Sequence, residues 1–277
     1  MSDKRATLQL QELYSVKDAI CVVTGGASGL GLTISQTLVQ NSAKKLYITS
    51  RNVNQLKEAQ KYLQSLNNNC VVEYIPSNLS TKSGVDTVVD YVKARENQLD
   101  ILVNNSGVTW GAKLEDFPEQ AGFDNVMALN VKASFYMIAG LASLLAEGKT
   151  NTAPAHVVNI SSIAGLATTA QNGGLTGGGV GVWSYNASKA ALNSLTKTLA
   201  QTLSRRNIMV NAILPGVFET RMTRYGLDKY KDKILSSQPT GRYGEGPDLA
   251  ATLLFLVSKG SAHVTGNLIV LDGGSTL

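Results

Sequence analysis

A tyrosine and a lysine four positions apart carry the clearest chemistry in this chain. They stand in Tyr185-Asn186-Ala187-Ser188-Lys189, and residues at this spacing share one face of a helix. A phenol ordinarily titrates near about pH 10, and a neighbouring cation favours its ionised form. The pattern therefore predicts a general acid or base at Tyr185 whose pKa is lowered by Lys189.

A glycine-rich turn near the amino terminus predicts a dinucleotide site. The apolar run 19–24 precedes Gly25-Gly26-Ala27-Ser28-Gly29-Leu30-Gly31, and a helical pattern follows over 32–40. Glycines at 25, 29 and 31 let the backbone approach a ligand, and the start of the following helix attracts a pyrophosphate. The spacing Gly-x-x-x-Gly-x-Gly departs from the commoner dinucleotide fingerprint but serves the same purpose.

The end of the second predicted strand favours NADP(H) over NAD(H). The run 45–49 is followed by Ser50-Arg51-Asn52 and by no acid, whereas NAD sites of this type place Asp or Glu here to accept from the ribose 2′-hydroxyl. Arg51 suits a 2′-phosphate through paired charge-assisted hydrogen bonds, and Ser50 adds a hydroxyl donor. The alternative role for both residues is the polar start of a helix over 53–65.

The order of apolar runs indicates an α/β fold. Strand-like runs alternate with helical segments and lie at 19–24, 45–50, 70–75, 100–104, 155–161, 207–213 and 267–271. Such alternation predicts a Rossmann-like, doubly wound parallel sheet of about seven strands with helices on both faces. No repeat or linker divides the 277 residues, so we expect an N-terminal extension (1–18) and one NADP(H)-binding catalytic domain (19–277).

Composition argues against several other classes. The net charge is +5, but Lys and Arg are scattered, so we expect no nucleic-acid partner. Two cysteines predict no disulfide framework, and two histidines at unsuitable spacing predict no metal site. The sequence shows no secretory signal and no membrane span, and Ser275-Thr276-Leu277 only loosely resembles a peroxisomal address. We therefore expect a cytoplasmic protein.

Seven motifs in a fixed order give the chain its resemblance to the short-chain dehydrogenase/reductase family, over about residues 19 to 274. They are Thr24-Gly25 through Gly31, Asn104-Asn105-Ser106-Gly107, Ala128-Leu129-Asn130-Val131, Asn159-Ile160-Ser161-Ser162, Tyr185 through Lys189, Pro215-Gly216 with Thr220, and Thr265-Gly266 with Asp272-Gly273-Gly274. The resemblance implies an oxidoreductase that transfers a hydride between NADP(H) and a carbonyl or secondary alcohol, with the cofactor carrying the hydride.

The same resemblance implies a role for each site residue. Ser162 would hydrogen-bond the substrate oxygen, with Ser161 as the alternative, and Tyr185 would exchange the proton. Lys189 would bind the nicotinamide ribose and lower the tyrosine pKa, while Asn130 would hold a water that links Lys189 to solvent. The implied cofactor contacts are Gly25, Ser28, Gly29, Leu30, Gly31, Ser50, Arg51, Asn78, Asn104, Gly107, Tyr185, Lys189, Pro215, Val217 and Thr220.

The chain departs from the family pattern at two places. Asn78 stands where the family usually has an aspartate near the adenine, and its amide oxygen can still accept a hydrogen bond. Ser162 and Tyr185 are 23 positions apart (185 − 162), more than is usual. The extra length is a Gly-rich insertion at 167–182, which either adapts the mouth of the substrate pocket or is a tolerated surface loop.

Three hypotheses for function remain open at this stage. Segments 104–111, 219–224 and 265–267 are similar to a bacterial branch of NADPH-dependent 3-ketoacyl reductases linked to rhamnolipid synthesis, which favours reduction of a ketoacyl group or related ketone. The alternatives are an NADP(H)-dependent polyol or sugar dehydrogenase and a non-catalytic NADP(H)-sensing or interaction protein. A substrate lid at about 217–240 carries residues that suit an acyl chain or simply pack as a helix: Phe218, Met222, Tyr225, Leu227 and Tyr230.

The helix expected over 184–205 presents small apolar residues such as Ala187, Ala190 and Ala191. Related proteins commonly pair this helix with its copy in another subunit. We therefore expect a homodimer or homotetramer whose other partner is a small carbonyl or alcohol substrate.

Overall fold

Seven parallel strands form one sheet in the computed structural model, which describes residues 8–171, 178–220, 223–236 and 238–277. The strands are β1 (Ile20–Thr24), β2 (Lys45–Ser50), β3 (Val71–Pro76), β4 (Ile101–Asn104), β5 (Ala155–Ile160), β6 (Ile208–Pro215) and β7 (Leu268–Leu271). Their spatial order is β3-β2-β1-β4-β5-β6-β7. Every predicted strand is present, and its ends lie within two residues of the predicted ones.

Helices connect the strands. They are α1 (Leu10–Leu13), α2 (Gly29–Gln40), α3 (Val53–Leu66), α4 (Lys82–Lys93), α5 (Asn125–Met127), α6 (Ala133–Ala146), α7 (Trp183–Leu203), α8 (Arg224–Ser236) and α9 (Gly246–Leu256). Two π-helical segments, Glu119–Asp124 and Ala128–Lys132, flank α5 and make it continuous with α6. Short 3₁₀ turns lie at Ile163–Gly165, Ser204–Arg206 and Lys259–Ser261.

The sheet is covered on both faces. The central strands β1, β4, β5 and β6 are buried along their whole length, as their continuous apolar runs predict for a parallel sheet. One apolar cluster packs α2, α3 and α9 against the sheet, and a second packs α4, α6 and α7 against the opposite face.

The strand order reverses between β1 and β4. The chain moves outward from β1 to β3 and then returns to pair β4 beside β1. Ligands of open α/β sheets bind at the carboxyl ends of strands at such a switch point. The fold therefore opens a crevice beside Thr24 and Asn104, the last residues of these two strands.

Most described residues of the predicted N-terminal extension are exposed. Val16 is the buried one among residues 8–18, since it is only 3% exposed and belongs to the apolar cluster formed with α2 and α9. This side chain therefore joins the end of the extension to the core.

One helical run, Glu119–Ala146, is long and apolar enough by composition to cross a membrane, and half of its most apolar window is buried in the protein. Met137, Ile138 and Leu141 on this run are fully buried against the sheet. Its apolar character is therefore that of a core helix.

Candidate active site

A cavity of about 600 Å³ opens at the carboxyl ends of β1, β2 and β4. Most of the predicted cofactor contacts meet there, although they come from widely separated parts of the sequence. Those that line it are Gly25, Ser28, Gly29, Leu30, Gly31, Ser50, Arg51, Asn78, Gly107, Tyr185, Lys189 and Thr220. The cavity is large enough for much of a dinucleotide.

The glycine turn forms one wall of the cavity, and its backbone conformation and close contacts require glycine. Gly25 has a positive φ of +66°, and a Cβ atom at Gly31 would lie 2.1 Å from the Gly25 carbonyl oxygen. The Asn105 side-chain amide donates to the Thr24 and Gly25 carbonyl oxygens, at 3.1 and 3.2 Å. The turn is thereby held with its backbone against the cavity, as a pyrophosphate site requires.

The end of β2 supplies donors for a phosphate. Ser50 Oγ is buried and has no hydrogen-bond partner within the described ranges, and the neighbouring Arg51 side chain is exposed. Both residues line the cavity, together with Asn78, whose Oδ1 accepts from the Ser80 N–H at 3.2 Å. An unpaired hydroxyl beside a guanidinium fits the 2′-phosphate of NADP(H).

The predicted catalytic pair lies on the first turns of α7, against the end of β5. Lys189 Nζ is 5.6 Å from the centre of the Tyr185 ring and donates to the Ile160 carbonyl oxygen at 2.9 Å. The Ser162 hydroxyl lies close enough to the Tyr185 phenol to lower its pKa, and it accepts from the Ala164 N–H at 3.1 Å, because Ser162 caps the 3₁₀ turn. The serine, tyrosine and lysine are therefore in one cluster.

Burial dominates the electrostatics of this cluster. It raises the pKa of Tyr185, and the Ser162 hydrogen bond acts in the opposite direction. Burial also lowers the pKa of Lys189 to about 8. The expectation that Lys189 brings the tyrosine pKa down is therefore not met in this structure, since desolvation of the phenolate outweighs a cation that is not in contact with the hydroxyl.

Asn130 lies within the π-helical segment Ala128–Lys132 and is 1% exposed. Its Oδ1 accepts from the Val108 N–H at 2.8 Å, and its Nδ2 donates to the Val108 carbonyl and Ser188 Oγ, both at 2.9 Å. Gly107 packs over this amide, since a Cβ there would lie 3.3 Å from Asn130 Oδ1 and 3.6 Å from Lys189 Nζ. The side chain thus ties the loop after β4 to α7.

Three predicted cofactor contacts do not line the cavity. Asn104 is 3% exposed, and its Nδ2 donates to Asn159 Oδ1 at 2.9 Å between β4 and β5. The next residue, Asn105, lines the cavity instead. Pro215 is buried at the end of β6, and the Val217 carbonyl accepts from the Gly244 N–H at 2.9 Å.

The other lining residues were not among the predicted cofactor contacts, although Ser161 was the alternative to Ser162 as the donor to the substrate oxygen. They are Ser77, Leu79, Asn105, Ser106, Val108, Thr109, Leu129, Ile160 and Ser161. Most of them are sequence neighbours of a predicted contact within the same motif. Across the described ranges, no group of three or more His, Cys, Asp or Glu side chains is placed to hold a metal ion.

The predicted lid is partly core. Phe218 is 4% exposed and belongs to the apolar cluster around α2 and α9, and Leu227 is 7% exposed. Both side chains are packed, as the alternative of ordinary helix packing predicts, and the substrate lid stays a prediction. Met222 and the Tyr225 side chain lie outside the described residues, and Tyr230 is at a kink in α8.

The C-terminal end of the Gly-rich insertion pairs with the chain after β4, whereas 172–177 lie outside the described residues. Ala112 bridges Gly181, and a Cβ atom at Gly111 would lie 3.0 Å from Val180 Cγ1. The Asn186 amide of α7 donates to the Thr169 carbonyl at 3.1 Å. The insertion is therefore anchored beside Tyr185.

Known proteins resemble this chain along nearly its whole length. The family model described as Enoyl-(Acyl carrier protein) reductase matches residues 25–276. The rhamnolipids biosynthesis 3-oxoacyl-(acyl-carrier-protein) reductase of Pseudomonas aeruginosa is 35% identical over 263 residues, which cover 94% of this chain and 97% of that protein. Gluconate 5-dehydrogenase of Gluconobacter oxydans is 29% identical and covers 96% of this chain and 98% of its own.

A solved structure agrees with these relatives. The Pseudomonas aeruginosa RhlG/NADP active-site complex matches with a TM-score of 0.87 and 34% identity, over 96% of this chain and 99% of that one. The predicted fold, family and reaction class are confirmed. The chain belongs to the short-chain dehydrogenase/reductase family, whose members are NAD(P)-dependent oxidoreductases, and it acts on CH–OH groups or the corresponding carbonyls.

Proposed function

We propose that this enzyme uses NADPH to reduce the carbonyl of a ketoacyl group or a related ketone. The observation that carries the proposal is the cluster of Ser162, Tyr185 and Lys189, with Lys189 one turn further along α7 than Tyr185, at the edge of a cavity with a dinucleotide cradle. The 35% identity to a 3-oxoacyl-(acyl-carrier-protein) reductase supports the substrate class.

The cofactor is NADP(H). Ser50 and Arg51 occupy the end of β2, where an acid would be needed for a free ribose 2′-hydroxyl. The buried, unpaired Ser50 hydroxyl gains a partner when a 2′-phosphate binds, and the Arg51 guanidinium supplies charge-assisted bonds to it. A relative of 34% identity is solved with NADP.

The chain's own residues stabilise the charge that develops on the substrate oxygen. Bound NADPH supplies a hydride to the carbonyl carbon. Ser162 donates a hydrogen bond to the oxygen, and Tyr185 gives it a proton, which completes the alcohol. Lys189 would hold the nicotinamide ribose of the bound cofactor. Both polar atoms of the Asn130 side chain are engaged, so we assign its water-holding role to its backbone carbonyl, within a π-helical segment of a kind that often marks functional sites.

Apolar side chains around the catalytic turn favour an acyl substrate. Trp110 is 40% exposed, Leu114 is 60% exposed, and Leu166, which directly follows the 3₁₀ turn, is 48% exposed. Val180 of the anchored insertion packs beside Gly111 in the same region. These exposed apolar side chains lie in the segments that follow β4 and β5, two strands that end at the site, and such side chains suit an apolar ligand chain.

A panel of carbonyl substrates tests the proposal. We expect NADPH oxidation with 3-ketoacyl thioesters, with kcat/KM rising as the acyl chain lengthens because more apolar surface is buried. Simple ketoses should be poor substrates. Higher kcat/KM for ketoses than for every thioester and aromatic ketone would contradict the assigned substrate class.

An NADP(H)-dependent polyol or sugar dehydrogenase is the second candidate. Asn186 Oδ1 is buried and has no partner in the described part of the chain, and its Nδ2 donates to the Thr169 carbonyl of the insertion, so a hydroxyl-rich substrate that displaced the insertion would meet an unpaired acceptor. Gluconate 5-dehydrogenase of Gluconobacter oxydans is 29% identical over nearly the same length. Oxidation of polyols by NADP⁺, lost in Asn186→Leu, would favour this candidate.

The enzyme assembles as a homodimer or homotetramer in the cytoplasm, and α7 forms part of the interface. Ala187, Ala190 and Ser194 are exposed on one side of α7, and Phe135 of the neighbouring α6 is 39% exposed. Small residues at these positions permit close helix packing. Light scattering that gives the mass of one chain would contradict the assembly. The two cysteines are free and buried, in agreement with a reducing compartment.

A further inference from the structure

A row of contacts joins the end of β5 to one face of α7. Tyr185, Lys189 and Asn193 are spaced by four and therefore share that face. The row, which we call the β5–α7 ladder, consists of the contact of Ser162 with Tyr185 and the two hydrogen bonds that join Ile160 to Lys189 and Ser161 to Asn193. The first two contacts involve proposed catalytic residues, whereas the third has had no assigned role.

The third bond lies directly behind the catalytic serine. Ser161 Oγ donates to Asn193 Oδ1 at 2.6 Å and is 3.3 Å from the Lys189 carbonyl oxygen. Ser161 is 3% exposed and Asn193 is 5% exposed. Because Ser161 immediately precedes Ser162, this bond holds the backbone that carries the Ser162 hydroxyl against α7.

The packing around this bond is close. A Cβ atom at Gly165 would lie 2.6 Å from the Lys189 carbonyl carbon and 2.8 Å from Asn193 Nδ2. The turn Ile163–Gly165 therefore lies directly on α7, and only glycine fits at the point of contact. The position of Ser162 relative to Tyr185 therefore depends on how the turn Ile163–Gly165 packs against α7.

Asparagine is a costly choice for packing alone at position 193. Its Nδ2 is buried without a hydrogen-bond partner in the part of the chain that the structure describes, and an unpaired buried donor destabilises a fold. A leucine would fill such a site without that cost. The hydrogen bond that Asn193 Oδ1 accepts from Ser161 gives a reason for an asparagine at this position.

We propose that Ser161 and Asn193 are positioning residues that set the separation between Ser162 and Tyr185 through their hydrogen bond. The proposal rests on the proposed roles of Ser162 and Tyr185. Without the bond, the turn after β5 shifts on α7, and the Ser162 donor no longer meets the phenol and the substrate oxygen together. Small displacements of reacting groups are known to cost up to about 100-fold in rate.

The test is steady-state kinetics of Ser161→Ala and Asn193→Leu with NADPH and the best carbonyl substrate. We expect kcat to fall about 10-fold or more with KM for NADPH unchanged, because the cofactor contacts remain. In the reverse reaction, the rise of kcat/KM with pH should shift to higher pH, since the Ser162 bond to the phenolate weakens. Ser161→Thr keeps the hydroxyl and should restore both.

The double variant provides a further check. If the two side chains act through one bond, Ser161→Ala/Asn193→Leu should be no slower than the slower single variant. The matched control is Thr196→Val on the same helix. Thr196 is fully buried, accepts from Asn159 Nδ2 and donates to the Leu192 carbonyl, and neither bond is one of the three contacts of the ladder. It should lower Tm and leave kcat and the pH profile unchanged.

Kinetics of Ser161→Ala and Asn193→Leu that match those of Thr196→Val, with only Tm lowered, would overturn the positioning role. Additive losses in the double variant would also overturn it. If Tyr185→Phe turned over at the wild-type rate, the proposed catalytic roles would be overturned, and the positioning role with them. Failure of the catalytic roles is therefore distinguishable from failure of the positioning role alone.

Discussion

A Cβ atom at Gly31 would lie 2.1 Å from the carbonyl oxygen of Gly25. The first turn of α2 and the end of β1 can meet this closely only because Gly31 has no side chain. We predict that Gly31→Ala destabilises the protein by about 1–3 kcal/mol through overpacking and weakens NADPH binding at least about 10-fold. Fluorescence titration and chemical denaturation measure the two effects.

Gly246→Ala is the control for that substitution. Gly246 begins α9, as Gly31 lies in the first turn of α2, but a Cβ there would meet nothing nearer than Thr33 Cγ2 at 3.6 Å. This variant should keep wild-type stability and NADPH affinity. Equal effects of the two substitutions would show that the close approach of Gly31 to the Gly25 carbonyl is not the cause of the loss.

Arg51→Ala should reduce discrimination between the two nicotinamide cofactors. The exposed guanidinium lines the cavity beside Ser50, and loss of a charge-assisted bond to phosphate is expected to raise the Kd for NADPH about 10- to 100-fold. The Kd for NADH should hardly change. Lys61→Ala, an exposed charge outside the cavity, is the control, and a similar loss for both cofactors in Arg51→Ala would contradict the assignment.

Lys189→Met should stabilise the protein at pH 7 while it abolishes turnover. Burial lowers the folded-state pKa of Lys189 to about 8 from a usual 10.5, so the charged lysine carries a penalty that is complete below pH 8 and fades as pH approaches 10.5. Lys189→Met removes this penalty of about 3 kcal/mol but also loses the bond to Ile160, which contributes about 1 kcal/mol. We therefore expect the unfolding free energy at pH 7 to rise by about 2 kcal/mol in the variant.

Chemical denaturation of wild type and Lys189→Met at pH 7 and pH 10 tests this sign. The gain should shrink at pH 10. A variant that is less stable than wild type at pH 7 would show that the ammonium contributes net stability where it lies.

His156 should make stability depend on pH in the acid range. Burial and the nearby Lys149 charge, with Asp100 acting in the opposite direction, lower its folded-state pKa to about 4 from 6.5. The unfolded chain binds the proton first, so this stability is complete above pH 6.5 and is lost as pH falls from 6.5 towards 4, by about 3 kcal/mol.

His156→Leu should flatten the unfolding free energy between pH 6.5 and 4, whereas His263→Gln should keep the wild-type slope. Denaturation curves across this range provide the measurement. An unchanged slope in His156→Leu would assign the acid instability to other groups.

Motif spacing and strand periodicity were enough to predict the sheet and the cofactor end of the site. The seven strands follow from apolar runs buried on both faces, and the glycine turn follows from spacing that admits no Cβ. Arg51 and Ser50 were identifiable because they directly follow a strand whose carboxyl end must face the cavity.

What the sequence could not predict depends on side-chain direction and burial. Asn104 and Asn105 are neighbours with the same chemistry, and only the strand pleat decides that Asn105 reaches the turn while Asn104 meets Asn159. The sequence could not decide whether Phe218 contacts a ligand or the core, because its apolar ring suits both; the structure places it in the core. The direction of the Tyr185 pKa shift required the burial of the phenol, which no spacing reveals.

The central claim is that Tyr185 exchanges the proton with the substrate. We would measure NADPH oxidation with a 3-ketoacyl thioester for wild type and Tyr185→Phe, together with NADPH binding by fluorescence. The account predicts a fall in kcat of at least about 100-fold with the Kd for NADPH nearly unchanged. Turnover by Tyr185→Phe within a few-fold of wild type would contradict it.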